Sequence, residues 1–223
     1  NYPSVRELRQ AELMCAAAEL GLADVYYLGY RDSGMPGSPD NDNPEALSMA
    51  PIDDVTDRIV KIIRNIKPQV VLTHDPRGDY GHPDHVAVHN ATTAAFHAAG
   101  NGETYHDLGA PFQPQKLYYN VMPNRLLKMV IKLLPLFGQN PKCFGRNRDI
   151  DLTTIVDQML PVTTIIKLNK QSIKTRQKAS NCHRSQIGGG GSLRRVLSWI
   201  LDQFGGQHGT FSRVYPPITD EPT

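Results

Sequence analysis

Apolar residues at helical spacing open the chain. Leu8, Leu13, Ala16, Ala17 and Leu20 predict a helix over Ser4 to Leu20, with Gly21 as its stop. Val25-Tyr26-Tyr27-Leu28 reads as a short strand, and Gly29 to Asn43, rich in Gly, Pro, Asp and Asn, as a loop. That loop is longer than a connector needs, a length common in binding loops. Val55, Ile59, Ile62, Ile63 and Ile66 form the apolar face of a second helix over Pro51 to Lys67, with Pro51 at its start. Gln69 to Leu72 is a buried-type strand, and a third helix begins at Pro83. This alternation predicts an α/β fold, a mostly parallel sheet with helices on both faces. A doubly wound domain normally opens on a strand, whereas this chain opens on a helix.

The second half is less regular. Lys116 to Val121 and Val162 to Leu168 read as strands, Asn124 to Phe137 and Lys170 to Ser185 as helices. Gly188 to Gly191 reads as a loop and Ser192 to Phe204 as a helix with Trp199 packed. Phe211 to Tyr215 reads as a final edge strand, closed off by Pro216 and Pro217.

The 223 residues suffice for one domain spanning 1–223. The balance of 24 Lys+Arg against 22 Asp+Glu gives no electrostatic mandate for nucleic acid. Cys15, Cys143 and Cys182 are odd in number and lack C-x-x-C spacing. They argue against a disulfide framework and fit a reducing, cytoplasmic setting. No apolar stretch is long enough to span a bilayer, and no signal peptide is visible.

The chemistry concentrates in Thr73-His74-Asp75-Pro76-Arg77-Gly78-Asp79-Tyr80-Gly81-His82-Pro83-Asp84-His85, between a strand and a helix. Three imidazoles and three carboxylates share this connection, where an α/β sheet presents its chemistry. Such a cluster binds metal, moves protons, or does both. With Pro83 in the first helical turn, His82, His85 and His89 lie on or near one face. Two readings stay open. Either His85 and His89 form a helical zinc pair, or one histidine is a ligand and another acts on substrate. Taken alone, His89 reads as structural, and Asp84 as a first-turn acid complementing the helix dipole.

These residues resemble the signature of the LmbE-like, or PIG-L, zinc-dependent deacetylases. Gly81-His82-Pro83-Asp84-His85 with Thr73-His74-Asp75-Pro76 carries the likeness, as does Leu28-Gly29-Tyr30-Arg31-Asp32-Ser33-Gly34-Met35. Arg9-Gln10-Ala11-Glu12-Leu13 and Cys182-His183-Arg184-Ser185-Gln186 support it, in family order. The resemblance implies a Rossmann-like fold and one catalytic metal, Zn²⁺ with Fe²⁺ also suited. It implies hydrolysis of an N-acetyl or other N-acyl amide on an amino sugar or related conjugate, by metal-activated water. The family's Ala-His-Pro-Asp-Asp-Glu type motif, which supplies further ligands and the general base, is expected upstream of Asn1.

By the same resemblance, His85 is the metal ligand. His82 faces the substrate carbonyl as a protonated or hydrogen-bonding imidazole, and Tyr80 reaches the oxyanion. Asp84 holds an imidazole, His82 above all, in its tautomer. Arg9 and Asp32 contact the sugar or its polar appendage, His183 and Gln186 the acyl or conjugate side. Asp75, by its place after the strand, orients the loop. The basic apolar helix from Arg125 to Leu134 reads as a cover over the site or an oligomer contact ahead of a membrane surface. A metallo-phosphoesterase and a metal-free sugar- or partner-binding relative are the alternatives.

Overall fold

Ser4 and Gly21 delimit the first helix as the spacing predicts. The Ser4 hydroxyl accepts from the Glu7 N–H at 3.2 Å, and Gly21 turns left-handed at φ 70° to stop it. The computed structural model describes residues 4–121, 124–143, 151–157, 159–187 and 207–218. The readings for Gly188 to Gly191, Ser192 to Phe204 and Trp199 lie outside them.

In chain order the elements are α1 (Val5–Leu20), α2 (Ile52–Ile66), β1 (Val70–Thr73), a tight non-helical turn α3 (Gly78–Gly81), α4 (Pro83–Ala98) and β2 (Lys116–Asn120). Then come α5 (Asn124–Leu133), α6 (Leu152–Asp157), β3 (Thr164–Lys167), α7 (Lys170–Cys182), α8 (Arg184–Ile187) and β4 (His208–Tyr215). The helix expected over Asn124 to Phe137 changes to a 3-10 turn at Leu134–Phe137. Val25 to Leu28 forms no strand. Its aromatic and β-branched residues have strand propensity, but propensity expresses packing on a neighbouring ladder, and no described strand pairs with it.

The chain divides into two compact units. One joins residues 1–27 to 165–209. In it α1 packs along α7, burying Ala16, Ala17 and Ala179. Leu13 and Leu20, expected on the buried face, are 36% and 48% exposed, while Glu12 is buried. Glu12 takes that place because Ser185 satisfies it, donating N–H and Oγ–H at 2.7 Å each. Cys15 and Cys182, with Cα atoms 5.8 Å apart, form a disulfide. This corrects the reading from cysteine count, since spacing reports nothing about a bridge across 167 residues. Cys143 is free and exposed.

The other unit holds residues 28–164 and 210–223. Val60 and Ile63 of α2 and Ala95 of α4 meet Ala99, with Val71 and Phe112 against them. Arg64, 3% exposed, is tied to five carbonyl oxygens, those of Ala99, Asn101, Thr104, Tyr105 and Gly109. Phe96 of α4 packs on Leu117, Tyr119 and Val121.

The sheet order is β1-β2-β4-β3. β1 and β2 run parallel, Val70 opposite Lys116, whereas β2 and β4 run antiparallel. The α/β class stands, with a mixed sheet flanked by helices. β4 lies inside the sheet, not at its edge. Pro216 and Pro217 fall beyond its last pair, Tyr215 with Leu117, and cost the ladder no hydrogen bond.

Candidate active site at the end of the first strand

β1 ends at Thr73, and the chain enters a loop that Asp75 organises. Asp75 is buried, and its Oδ1 accepts from the N–H groups of Arg77 (3.0 Å) and Asp79 (2.9 Å). The orienting role expected of Asp75 is thus visible in its bonds. Gly78, at φ 64°, lies so close to α4 that an added Cβ would stand 2.7 Å from His85 Cβ. Asp79 follows at φ 63°, ψ −84°, a strained backbone for a residue with a side chain.

That turn directs Asp79 between two imidazoles. Its Oδ2 is 2.6 Å from His74 Nδ1 and 3.1 Å from His85 Nδ1. The two rings stack, with centroids 4.0 Å apart and planes 11° apart. Burial alone would raise the Asp79 pKa, but the His74 hydrogen bond and the close His85 imidazole outweigh it and hold the carboxyl far below its usual range. The carboxylate raises the His85 pKa in turn, against burial. Tyr80 stands edge-on to His85 at 5.3 Å and to His82 at 6.0 Å.

His82 caps α4. Its Nδ1 accepts from the Asp84 N–H at 3.2 Å, and Nε2 is 4.0 Å from Asp32 Oδ1. Burial is the largest influence on its pKa and lowers it. The Asp84 side chain does not hydrogen-bond His82, which corrects the tautomer role expected of that carboxylate. Its oxygens accept instead from the Ser33 N–H (3.1 Å) and Oγ–H (2.5 Å). Ser33 is fully buried, and its Oγ also accepts from the Ser48 N–H at 2.9 Å. Asp84 therefore fastens the Gly29–Asn43 loop to the first turn of α4, and this sets Asp32 beside His82.

Tyr80, His82, Asp84, His85 and Asp32 thus come together in one unit. Arg9, His183 and Gln186 belong to the other. There Arg9 is exposed on α1, while Gln186 Nε2 lies 3.5 Å from His183 Nδ1 between α7 and α8. Sequence reasoning assigned no role to His74, Asp79 or Ser33. The signal for the first two was a histidine directly after a buried strand and an acid inside the Gly78 to Gly81 turn.

Among the described residues, two sets of three donors have ligand atoms within 4.8 Å of one another, His74 with Asp79 and His85, and Asp32 with His82 and Asp84. Nitrogen and carboxylate donors suit Zn²⁺ or Fe²⁺. His85 Nδ1 is buried against Asp79 Oδ2 at 3.1 Å, off the line of a well-formed hydrogen bond, so this ring sits in a group of donors that suits a metal. His89 lies in neither set. Its Nδ1 donates to the His74 carbonyl at 2.9 Å and its ring stands edge-on to Tyr119 at 4.6 Å, which favours one ligand over a His85–His89 pair.

Comparison with known proteins gives the same direction. The family model for PIG-L, the GlcNAc-PI de-N-acetylases, matches residues 1–96. A 1D-myo-inositol 2-acetamido-2-deoxy-alpha-D-glucopyranoside deacetylase of Rhodococcus erythropolis is 39% identical over 80% of this chain and 60% of its own length. Its counterpart in Catenulispora acidiphila is 37% identical over 71% of this chain and 50% of its own length. The chain therefore spans about half to three-fifths of these curated relatives. Among solved structures, a conserved protein of Thermus thermophilus matches 98% of this chain and 77% of its own, with TM-score 0.57 and 18% identity. The 4-carboxy-2-hydroxymuconate hydratase GalB of Pseudomonas putida matches with TM-score 0.50 and 16% identity, over 98% of this chain and 76% of its own. The fold alone therefore does not choose the reaction.

Proposed function

We propose that the chain is a PIG-L, LmbE-like deacetylase and that the protein removes the N-acetyl group from an amino sugar conjugate, of the GlcNAc–inositol kind that its relatives' names describe. The observation that carries this reading is the convergence of His82, His85, Tyr80 and Asp32 at the end of β1, in the order the family signature requires. We assign His85 to the metal, with Zn²⁺ or Fe²⁺ as the ion. When bound, such an ion supplies Lewis acidity, polarising a carbonyl and making water a nucleophile near neutral pH.

The chain's own residues do the rest. His82, neutral near pH 7 because burial lowers its pKa, has Nδ1 occupied as an acceptor. Its proton is therefore on Nε2, available to the carbonyl oxygen where charge develops. Tyr80, standing edge-on to both His82 and His85, offers a second donor, its hydroxyl. Asp32 accepts from sugar hydroxyls. The relatives' names support amide over phosphoester hydrolysis.

A small-molecule conjugate is the proposed partner, with no nucleic acid. No helix among the described residues is long and apolar enough to cross a membrane. A cytoplasmic setting has to accommodate Cys15–Cys182, since a reducing cytosol keeps thiols free. Alkylation of cells before lysis, followed by mass spectrometry of those two cysteines, decides it.

The test of function is acetate release. Full-length protein loaded with Zn²⁺ should release acetate from N-acetylglucosaminyl-inositol, lose this activity to a chelator, and regain it with Zn²⁺. No release from any N-acyl sugar by metal-loaded protein would overturn the reading.

A further inference from the structure

The sequence signature explains His82 and His85 but leaves the His74–Asp79 pair without a task. Asp79 is the most constrained side chain of the loop. Its N–H is held by Asp75, its carbonyl oxygen accepts from Arg77 Nη2 at 3.2 Å, and its backbone is strained. Strain of this kind persists only where surrounding structure enforces it. Here it places one carboxylate oxygen within 3.1 Å of two imidazole nitrogens.

His85 Nδ1 is buried, yet the His85 side chain is 27% exposed. The accessible part of the ring therefore lies away from Nδ1. We propose that Asp79 is a positioning residue for His85: it holds the proton of the neutral ring on Nδ1 and leaves the Nε2 lone pair facing outward for the metal, while His74 braces the carboxylate from its other side. The inference rests on the assignment of His85 to the metal. Metal-bound imidazoles are commonly fixed in this way by an outer carboxylate, whose loss weakens metal affinity about 10- to 100-fold. The stacked His74 ring and its Nδ1 contact keep the Asp79 oxygen from turning away.

A direct-ligand arrangement, with His74, Asp79 and His85 all on one ion, is the competing use of these donors. It would require the 2.6 Å His74–Asp79 contact to open. It would also bring the ion to the buried edge of His85.

Two measurements on the full-length protein test the proposal. First, long-range ¹⁵N spectra of the metal-free protein, at a pH where imidazoles are neutral, should show the His85 proton on Nδ1. In Asp79→Asn, whose side chain tolerates the left-handed backbone, the proton should redistribute between the two nitrogens. Second, Zn²⁺ affinity by chelator competition should fall about 10- to 100-fold in Asp79→Asn, and Asp79→Glu should recover part of it. The Co²⁺ form should keep the visible spectrum of the wild-type protein, since no ligand is lost. A His85 proton on Nε2 in the wild type would overturn the proposal, whether or not the variants fold. So would unchanged affinity in Asp79→Asn, or a Co²⁺ spectrum reporting a lost ligand. Absence of acetate release by the wild type would sink the deacetylase reading and leave the tautomer result standing.

Discussion

The His82 Nδ1 accepts the backbone N–H of Asp84, so one side chain both caps helix α4 and faces the proposed substrate with its other nitrogen. A neutral imidazole has one donor and one acceptor. The helix end uses the acceptor, which leaves the donor for chemistry.

The two roles of His82 separate by substitution. His82→Ala should lose the cap, about 1 kcal/mol of stability, and the donor, about 3–4 kcal/mol of barrier or 10²- to 10³-fold in kcat. His82→Asn should restore the cap, and with it the melting temperature, but not the rate. Thermal melts and steady-state kinetics on the same two variants check this.

Ser33 joins the proposed substrate loop to the first turn of α4. Ser33→Ala should cost about 1–3 kcal/mol, because the Ser48 N–H loses its acceptor and Asp84 a donor in a buried place. As Asp32 is its neighbour, we expect KM to rise more than kcat falls. A fall in kcat at constant KM would place Asp32 outside substrate binding.

Arg64 binds carbonyls from a segment with little regular structure, residues 99 to 109. Arg64→Leu should destabilise the protein by at least about 3 kcal/mol, since several buried acceptors lose a charged donor. Arg64→Lys should recover little, having three donors on a point charge rather than a planar fork. The urea midpoint, with the slope unchanged, reads both.

Glu12 makes stability depend on pH. The Ser185 N–H and hydroxyl lower its pKa in the folded protein, below an unfolded value of about 4.3. Its contribution is therefore complete above that value and is lost as pH falls through the folded pKa. The difference in urea midpoint between wild type and Glu12→Gln should be constant above about pH 5 and shrink on further acidification. A difference that grows on acidification would contradict the assignment.

Where one rule governs a segment, its sequence made the structure readable. Pro83 opens a helix as its type suggests, and α2 buries Val55, Val60 and Ile63 of its apolar stripe, while Ile66 is exposed and Thr56 and Arg64 are buried beside them. Gly81-His82-Pro83-Asp84-His85 pointed to the candidate site by type and spacing. Partners across distance were not readable. Asp84 bonds Ser33, 51 positions away, and Glu12 bonds Ser185, 173 positions away. Nothing in the local pattern of either residue announces its partner. Phe211 to Tyr215 was legible as a strand, but whether a strand is central or marginal depends on what pairs with its second side. Asp79 escaped notice because its importance is conformational. Its φ of 63° aims the carboxylate, and an acid between Gly78 and Tyr80 otherwise reads as ordinary turn chemistry.

The bridge from Cys15 to Cys182 converts most of the polypeptide into a covalent ring. A protease nick anywhere inside that ring, including the stretch that carries His74 to His89, leaves a single molecule of unchanged mass on a non-reducing gel. Only after thiol treatment do the two pieces part, so limited digestion run both ways reveals cleavage that an ordinary gel would hide.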